Sequence, residues 1–350
     1  MEMRQAIEEY LSEFHKPENY IVIKKCPYCD FDSFMNIAYV DRHGLPCNIV
    51  ICNACNGCFK SSILTPEVDR RFYEHLSYLL RGKSLSETDM EKLFWERVAN
   101  LAWPRFYFIS YFLKLNPQED SVYELGCNDG ANLFPWHEQG FETVGIEIDP
   151  RMAEFGRKKG LNIICDNFFN FKSVVKKPKL IILSHVLEHV DDIKACLQYL
   201  REIISPTGYI FIEVPGIKSQ GFGNMSNYFD IEHNFNFDLR SLSEMVKKYS
   251  LSVLYGDEYI CLLCTPSKKN LINGQFNFFD IAQWKALFFK ACIRRIDENP
   301  KNLYSFLKEG RDGKNIFKLK HKILTFCLNQ VHSAVISMGR RKACLKANLL

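Results

Sequence analysis

No stretch of this 350-residue sequence approaches the run of about 18 apolar residues that a membrane-spanning helix needs. The amino-terminal segment is charged throughout and lacks the apolar stretch of a secretory signal peptide, so cytoplasmic residence is the default expectation. Internal repeats and low-complexity linkers are absent from the sequence too. What is present is 47% apolar and 14% aromatic residues, enough for packed cores in more than one folding unit.

The Gly-x-Gly-x-x-Gly pattern of dinucleotide-binding proteins is missing, but residues 122–130 place a different glycine-bounded turn between an apolar strand and a helix. Gly126 allows the backbone to turn sharply close to a ligand, and Gly130 lets the next helix begin against that turn. Glu124 adds a carboxylate at the end of the strand. A turn with two glycines is weak evidence by itself, because many such turns are purely steric, so its meaning depends on the elements that follow.

Strands and helices alternate after this turn in the order typical of a nucleoside-binding α/β domain. Glu147 ends the second strand, about 20 residues beyond Gly126, and at that spacing such folds hold ribose hydroxyls. Asp166 follows the third strand and is suitably placed to accept a hydrogen bond from an adenine amino group. The predicted strands are 122–125, 143–148, 162–165, 179–183 and 209–214, and the predicted helices are 131–139, 151–159, 191–204 and 239–248.

These motifs resemble those of class I S-adenosylmethionine-dependent methyltransferases over about residues 116–265. The resemblance implies a Rossmann-like, seven-stranded α/β sheet and S-adenosylmethionine as the cofactor. The first motif of that family matches residues 124–130, although Asn128 stands where many members have a second glycine. The cofactor-binding residues implied by the resemblance are Glu124, Gly126, Cys127, Asn128, Gly130, Glu147, Ile148, Asp166, Asn167, Ser184 and His185.

Two Cys-x-x-Cys knuckles lie upstream, and the distance between them along the chain is close to that of a structural zinc ribbon. Four thiolates would complete the coordination of Zn²⁺ and leave no position for substrate, so the predicted metal is structural. The alternatives are ordinary reduced cysteines in a chain that has 14, and disulfides, which the lack of a signal peptide disfavours. The predicted ligands are Cys26, Cys29, Cys52 and Cys55, with Cys47 and Cys58 as further candidates.

A four-cysteine module before such a domain resembles a narrower group, the bacterial sugar methyltransferases and above all the C-methyltransferases of deoxysugar pathways. Those proteins carry a segment reading roughly Tyr-His-Glu-His after the fifth strand, and the matching stretch here is residues 230–233. Glu232 and His233 carry over directly. The tyrosine of the family falls on Asp230, with Tyr228 as the nearby alternative. This departure weakens the expectation of C-methylation more than the expectation of a sugar substrate.

Methyl transfer needs alignment of the nucleophile with the methyl group and removal of a proton from an oxygen or an activated carbon. A histidine titrates near neutral pH, and a neighbouring carboxylate can orient its ring or stabilise its protonated form. We therefore predict that His233 is the general base and that Glu232 assists it. The alternative is that the pair only stabilises the loop before the next helix.

The stretch from His185 to His189 matches the inverted zinc-peptidase pattern His-x-x-Glu-His. It follows a buried strand directly and no third ligand is evident in the sequence, so we interpret the match as accidental and the segment as a wall of the cofactor site. For His185, a role in shaping the substrate pocket and a simple packing role are equally open. Residues 221–227 contain two glycines before the proposed base and are the candidate active-site loop.

The predicted domains are a zinc-binding module (1–70), a helical connector (71–115), the methyltransferase domain (116–266) and a basic helical carboxyl-terminal region (267–350). Pro104 is predicted to break or kink the connector. From position 271 onward lysines and arginines far outnumber acidic residues, whereas the preceding part of the chain is net acidic. The basic region could contact a nucleotide diphosphate, an anionic membrane surface or nucleic acid, or it could pack as an ordinary solvated helix.

Three functions remain open from the sequence. The leading one is methylation of a nucleotide-linked sugar or a surface-glycan precursor at oxygen or carbon. The second is RNA methylation through the zinc ribbon and the basic region, which the missing Asn/Asp-Pro-Pro-aromatic motif disfavours. The third is a zinc-containing interaction protein that has lost activity. Acceptor atom, sugar identity and oligomeric state are not readable from the sequence.

Overall fold

The computed structural model describes residues 2–80, 86–171, 177–217, 229–258 and 260–266. Tyr228, the candidate loop 221–227 and the basic region 267–350 lie outside these ranges. Among the described residues, none of the helices combines the length and the apolar character needed to cross a membrane. One compact unit contains the described residues up to Arg97 together with those from Leu115 onward, and Val98–Lys114 belongs to a second unit.

The amino-terminal region contains small antiparallel sheets flanked by helices. Strands β1 and β5 pair with each other, and β3 lies between β2 and β4. In chain order the elements are α1 (Glu2–Glu9), a π-helical segment (Tyr10–Phe14), a 3₁₀ turn (Pro17–Asn19), β1 (Tyr20–Val22), β2 (Phe34–Val40), β3 (Pro46–Cys52), β4 (Cys58–Lys60), β5 (Ser62–Leu64), α2 (Pro66–His75), α3 (Ser77–Leu80) and α4 (Glu87–Arg97).

The described part of the second unit is helical. A π-helical segment (Val98–Ala102) leads into helix α5 (Trp103–Phe112). Pro104 lies in the first turn of α5, directly after the π-helical segment, so its missing N–H interrupts the helical hydrogen bonding where the two segments meet. The proline that was predicted to break or kink the helical stretch therefore lies where the π-helical segment changes into a regular helix.

The α/β region contains the remaining elements. In chain order they are β6 (Ser121–Leu125), α6 (Phe134–Glu138), β7 (Glu142–Glu147), α7 (Pro150–Lys158), β8 (Ile163–Cys165), a 3₁₀ turn (Phe168–Asn170), β9 (Leu180–Ser184), α8 (Ile193–Ile203), β10 (Tyr209–Glu213), β11 (Phe235–Asn236), α9 (Leu239–Lys248), β12 (Ser252–Gly256) and β13 (Cys261–Thr265). The observed bounds agree with the predicted strands to within one residue at either end.

The main sheet has seven strands in the order β12-β13-β10-β9-β6-β7-β8, which confirms the predicted seven-stranded α/β sheet. Strands β6 to β10 are parallel, whereas β13 runs antiparallel to β10. The apolar strand β9 is buried at four of its five positions, as expected of a central strand covered on both faces. The chain moves outward from β6 to β8 and then returns to β9, so a crevice opens beyond the carboxyl ends of β6 and β9.

One predicted helix is much shorter than expected. Residues 131–139 were predicted as a helix, but only Phe134–Glu138 is helical. Residues between Gly130 and Leu133 form a turn closed by the bond from Leu133 N–H to the Gly130 carbonyl. Pro135 lies in the first helical turn, a position that favours helix initiation there rather than upstream.

The small sheet and the α/β region are joined by strand β11. It pairs antiparallel with β4, with Phe235 opposite Phe59, and so completes a four-stranded sheet in the order β11-β4-β3-β2. Phe59 and Phe235 also belong to the same buried cluster as Leu183 on strand β9. The two regions therefore share one hydrophobic core across the predicted boundary at residue 70.

Candidate active site

The turn after β6 depends on both of its glycines. Gly126 and Gly130 have φ angles of +65° and +77°, a region that side chains with a Cβ rarely adopt. A Cβ on Gly126 would lie 2.6 Å from Cγ2 of Val186, and one on Gly130 would lie 2.6 Å from Cδ1 of Leu161. The turn is therefore packed directly against the segment that follows β9.

Asn128 takes the conformation that a second glycine would take. Its φ angle is +53°, and asparagine is among the residues that tolerate the left-handed region. Its Oδ1 accepts hydrogen bonds from the backbone N–H of Asp129 (2.9 Å) and from Nη1 of Arg97 (3.3 Å). The departure from the family motif thus leaves the left-handed turn geometry intact.

Glu147, at the end of β7, is bonded to this turn. Its Oε2 accepts from the backbone N–H of Asn128 at 2.7 Å, and its Oε1 accepts from that of Asp149 at 2.9 Å. Burial raises the pKa of the Glu147 carboxyl. Because each carboxylate oxygen has a second lone pair, the group can still accept bonds from two ribose hydroxyls.

The tips of β7 and β8 lie together, because these strands are adjacent and parallel. The backbone N–H of Asp166 donates to the Glu147 carbonyl at 3.0 Å. The exposed carboxylate of Asp166 accepts from the N–H of Asn167 at 2.6 Å, and the Asn167 side chain caps the following 3₁₀ turn. Ile148, whose exposed fraction is 55%, offers an apolar surface beside Glu147.

Other residues of the first motif face inward. Glu124 is buried, and its Oε1 accepts from Nδ2 of Asn132 at 2.7 Å. Burial raises the pKa of the Cys127 thiol, which keeps it neutral and unreactive. Asp129 is also buried, forms an ion pair with Arg97 and has a pKa raised by burial. Sequence reasoning missed Arg97, because no local pattern links a residue at the end of α4 to this turn.

Taken together, this turn fits an adenosyl group. Two glycines keep the backbone free of side chains, Glu147 keeps acceptor capacity for ribose, and Asp166 is an exposed acceptor one strand away. The residues predicted to bind the cofactor are thus brought to one edge of the sheet, except that the side chains of Glu124 and Cys127 are buried beneath it.

Strand β9 ends in Ser184, whose hydroxyl donates to Oε2 of Glu213 on the neighbouring strand β10 at 3.0 Å. His185 follows with a φ angle of +56°, and its backbone N–H donates to the Glu213 carbonyl at 2.8 Å. A non-glycine residue in this region is uncommon and marks positions where the surroundings dictate the backbone. The His185 side chain is 52% exposed at the crevice end of β9.

A cluster of imidazoles surrounds Glu188 in the turn that follows β9. The Glu188 side chain is 1% exposed, and neither carboxylate oxygen has a hydrogen-bond donor among the described residues. Its Oε1 lies 3.4 Å from Nδ1 of His185 and 3.7 Å from Nε2 of His189. His233 comes from the segment before β11, and one ligand-type atom from each of Glu188, His189 and His233 lies within 4.8 Å of the others.

The His189 ring is held in one orientation. Its Nδ1 lies 3.0 Å from the Glu232 carbonyl oxygen and 2.9 Å from the Tyr73 hydroxyl. Because a carbonyl can only accept, Nδ1 donates to Glu232 only in the tautomer that is protonated at Nδ1, and in either tautomer Nε2 faces the carboxyl group of Glu188. The sequence showed no third ligand beside the His-x-x-Glu-His pattern, which we interpreted as accidental. In the structure His233 lies beside Glu188 and His189 and is such a side chain.

The other predicted catalytic residues are tied into the amino-terminal region. Oε1 of Glu232 accepts from the Ser77 hydroxyl at 3.0 Å. Asp230 is buried and forms an ion pair with Nη2 of Arg42 at 2.5 Å, while its Oδ1 accepts from the N–H of Glu232 at 3.0 Å. Both carboxylates therefore help to fix the segment that carries His233.

The four predicted cysteine ligands cluster in space. Sγ of Cys26 lies 3.6 Å from Sγ of Cys55, and Sγ of Cys29 lies 3.5 Å from Sγ of Cys52. A tetrahedral zinc site with bonds of about 2.3 Å places its sulfurs about 3.8 Å apart, so the spacing fits a four-thiolate metal site. Cys47 and Cys58, the further candidates, do not belong to this group of mutually close ligands.

Comparisons with known proteins point to the same class of domain. A family model described as a methyltransferase domain matches residues 94–255. The C-methyltransferase NovU of Streptomyces niveus is 22% identical over 214 residues, which cover 60% of this chain and 47% of that protein. The chain thus spans about half the length of the relative that it matches.

Solved structures are similar to about half of the chain. DesVI of Streptomyces venezuelae has a TM-score of 0.43 at 13% identity and covers 53% of this chain and 100% of its own. A methyltransferase from Thermotoga maritima, described as a possible histamine N-methyltransferase, has a TM-score of 0.41 at 15% identity and covers 52% of this chain and 96% of its own.

The glycine turn after β6 and the order of the mostly parallel seven-stranded sheet are those of a Rossmann-like α/β domain. With the family match, residues 94–255 are a class I S-adenosylmethionine-dependent methyltransferase domain.

Proposed function

We propose that this protein transfers a methyl group from S-adenosylmethionine to an oxygen or carbon of a nucleotide-linked sugar or surface-glycan precursor, with His233 as the general base. The observation that supports this most is the grouping of His233 with His189 and Glu188 at the crevice end of β9. The similarity to a protein named as a C-methyltransferase supports carbon as the acceptor atom.

The location suits a base for methyl transfer. Val186 packs against Gly126, so the turn that would hold the cofactor and the turn that carries Glu188 and His189 are in contact. When bound, S-adenosylmethionine supplies an electrophilic methyl group. His233 accepts the proton from the acceptor, and the buried carboxylate of Glu188 stabilises the positive charge that this creates.

Glu232 assists through two contacts. Its carboxylate accepts a hydrogen bond from the Ser77 hydroxyl and so fixes the residue before His233. Its carbonyl oxygen lies 3.0 Å from Nδ1 of His189 and, by accepting a hydrogen bond from this atom, orients the ring that faces Glu188. Asp230, in the ion pair with Arg42, supports the same segment. Tyr228 remains, from the sequence alone, the alternative match to the tyrosine of the family motif.

We also propose that Cys26, Cys29, Cys52 and Cys55 bind a structural Zn²⁺ ion. The sulfur–sulfur distances support this, and so do the knuckle bonds. The backbone N–H of Ala54 donates to Sγ of Cys52, and that of Gly57 donates to Sγ of Cys55, each at 3.4 Å. Such N–H groups favour the thiolate form that a metal requires.

The test compares His233→Gln with the wild type and with His137→Gln, which alters an exposed histidine on α6. Isothermal calorimetry measures S-adenosylmethionine binding, and methyl transfer is assayed on nucleotide sugars and on bulk RNA. We expect His233→Gln to lose about 10²- to 10⁴-fold in kcat with unchanged cofactor affinity, because general-base help contributes that much. Activity on RNA alone, or no cofactor binding by the wild type, rejects the proposal.

A further inference from the structure

Strand β4 lies between the four-cysteine cluster and the segment that carries His233. It begins shortly after Cys55, and it pairs with β3 on one side and with β11 on the other. The hydroxyl of Tyr28, which lies between the first two cysteines, donates to the Cys58 carbonyl at 3.1 Å. The cluster is thus attached to β4 from both of its knuckles.

Lys60, the last residue of β4, holds both ends of the Glu232–His233 dipeptide. Its Nζ donates to the Ile231 carbonyl at 2.7 Å, and its backbone N–H donates to the Asn234 carbonyl at 3.0 Å. These two acceptors stand directly before and directly after the dipeptide. One residue of the small sheet therefore fixes the backbone on either side of the proposed base.

The opposite side of the same segment is bonded to the Glu188 turn. Nδ2 of Asn234 donates to the His189 carbonyl at 3.1 Å, and the backbone N–H of Phe235 donates to the Glu188 carbonyl at 3.1 Å. The segment is thus held between β4 and the turn that follows β9. A shift on the β4 side would move His233 relative to His189.

Burial of the Lys60 side chain costs desolvation free energy. Its side chain is buried, and this burial lowers the pKa of its ammonium group. The nearby carboxyl groups of Asp191 and Asp230 favour the charged form of Lys60 and offset part of this cost. An apolar side chain of similar length would fill the space without the desolvation penalty. What only the ammonium group adds is the hydrogen bond to the Ile231 carbonyl.

We propose that Lys60 is a positioning residue for the methyl transfer: it sets the place of His233 from the four-cysteine side of the molecule. This role rests on the proposed function of His233 as the base. It gives the four-cysteine cluster a second task besides stability, because the cluster fixes β4 and β4 fixes the base.

The test uses the whole 350-residue chain with Lys60→Met and the milder Lys60→Gln. Lys177→Met is the control, since Nζ of Lys177 also donates to a backbone carbonyl, that of Glu202, at an exposed site. We expect Lys60→Met to lower kcat by about 10²-fold, because a misplacement of about 1 Å costs that much. Cofactor affinity and the control should stay at wild-type values.

A double-mutant cycle with His233→Gln separates positioning from general damage. If Lys60 acts through His233, then Lys60→Met should cause no further loss of kcat in the His233→Gln background. Additive losses overturn the proposal, as does wild-type kcat in Lys60→Met. If neither Lys60 variant folds, Lys60 is a stability residue and the proposal is wrong.

The proposed function and the positioning role of Lys60 fail in different ways. If the wild type transfers no methyl group, the proposed function is rejected. The positioning role can still be measured by NMR, from the ring-proton resonance of His233, which is assigned by its loss in His233→Gln. A shift of that resonance in Lys60→Met, with none in Lys177→Met, supports the positioning role. An unchanged resonance overturns it.

Discussion

The imidazole rings of His189 and His233 lie edge to face with their centroids 4.9 Å apart, although the two residues are far apart in the chain. His189 follows a parallel strand of the main sheet, whereas His233 precedes a strand of the small sheet. The contact therefore exists only because the two sheets share a core. The buried carboxyl group of Glu188 lies beside this pair.

Glu188→Gln should lower activity without lowering stability. Removing the buried carboxylate takes away the charge that stabilises a protonated imidazole, and about 1.4 kcal/mol of such stabilisation is a tenfold effect. We therefore expect kcat to fall by about tenfold or more. The melting temperature should stay the same or rise, since a buried amide costs less than a buried carboxylate without a donor. Thermal unfolding and methyl-transfer assays check the two parts, with Glu154→Gln at an exposed position as the control. A lower melting temperature together with a normal kcat contradicts the prediction.

Glu147→Gln should weaken cofactor binding selectively. Hydrogen bonds to a charged acceptor contribute about 1.5–3 kcal/mol, so losing the carboxylate should raise the Kd for S-adenosylmethionine by about 10- to 100-fold. Glu142→Gln is a matched control, because Glu142 is an exposed carboxylate at the opposite end of the same strand. Calorimetry measures both variants, and equal affinities would show that Glu147 does not contact the ribose.

Asn128 provides a test of the turn geometry. Asn128→Gly should keep cofactor affinity close to that of the wild type, because glycine adopts the same left-handed conformation without strain. Asn128→Val should lower the affinity for S-adenosylmethionine about tenfold or more, since that conformation costs a β-branched residue about 1–2 kcal/mol. Comparable Kd values for the two variants would mean that the backbone conformation at this position does not matter for binding.

Cys52→Ser should remove the metal and destabilise the small sheet. We expect metal analysis to find one zinc per wild-type chain and much less than one in the variant, because three thiolates and a hydroxyl bind Zn²⁺ poorly. Cys165→Ser, at an exposed cysteine outside the cluster, should keep its zinc and its melting temperature. A full zinc equivalent in purified Cys52→Ser would place the metal elsewhere.

Asp69 should make stability depend on pH in an unusual direction. Burial, with the charge of Asp191 adding to it, raises the pKa of Asp69 from 3.8 to about 7. Between these values the folded state keeps a proton that the unfolded state releases, so rising pH destabilises the fold by up to about 1.4 kcal/mol per pH unit. Above about pH 7 the contribution is constant, and below the unfolded value the group is protonated in both states.

The measurement is denaturant unfolding across that pH range for the wild type and for Asp69→Asn. The variant carries a neutral side chain at this position, so its unfolding free energy should fall less between about pH 4 and about pH 7. The same slope in both proteins would show that Asp69 titrates at its ordinary value in the folded chain.

Local chemistry made much of the sheet predictable. The apolar runs of β6 and β9 have the composition of strands buried on both faces, and Gly126 and Gly130 indicate the turn between β6 and α6. Helix α9 has the predicted bounds, and Asp238 fixes its start by capping the first turn. Helix α6 was predicted too long, since the apolar residues after Gly130 form a turn and Pro135 sets the helix start.

The candidate site was predictable only in part. Glu147 and Asp166 lie at the tips of adjacent parallel strands, and such tips always share one edge of a sheet. The grouping of Glu188, His189 and His233 depends instead on the pairing of β11 with β4. Nothing near His233 in the sequence names its partner strand, so the pattern around His189 had no visible third member.

What the sequence determined by itself is therefore the ligand-binding turn and the alternation around it, because both depend on residues within a few positions of one another. What only the tertiary structure decided is which histidines meet and what holds them. Lys60 shows why: a lysine in a short strand is expected to face water, and it is buried here because the Ile231 carbonyl, 171 residues further along the chain, accepts its ammonium. Contacts of that sequence separation follow from the packing of two sheets and leave no local pattern to read.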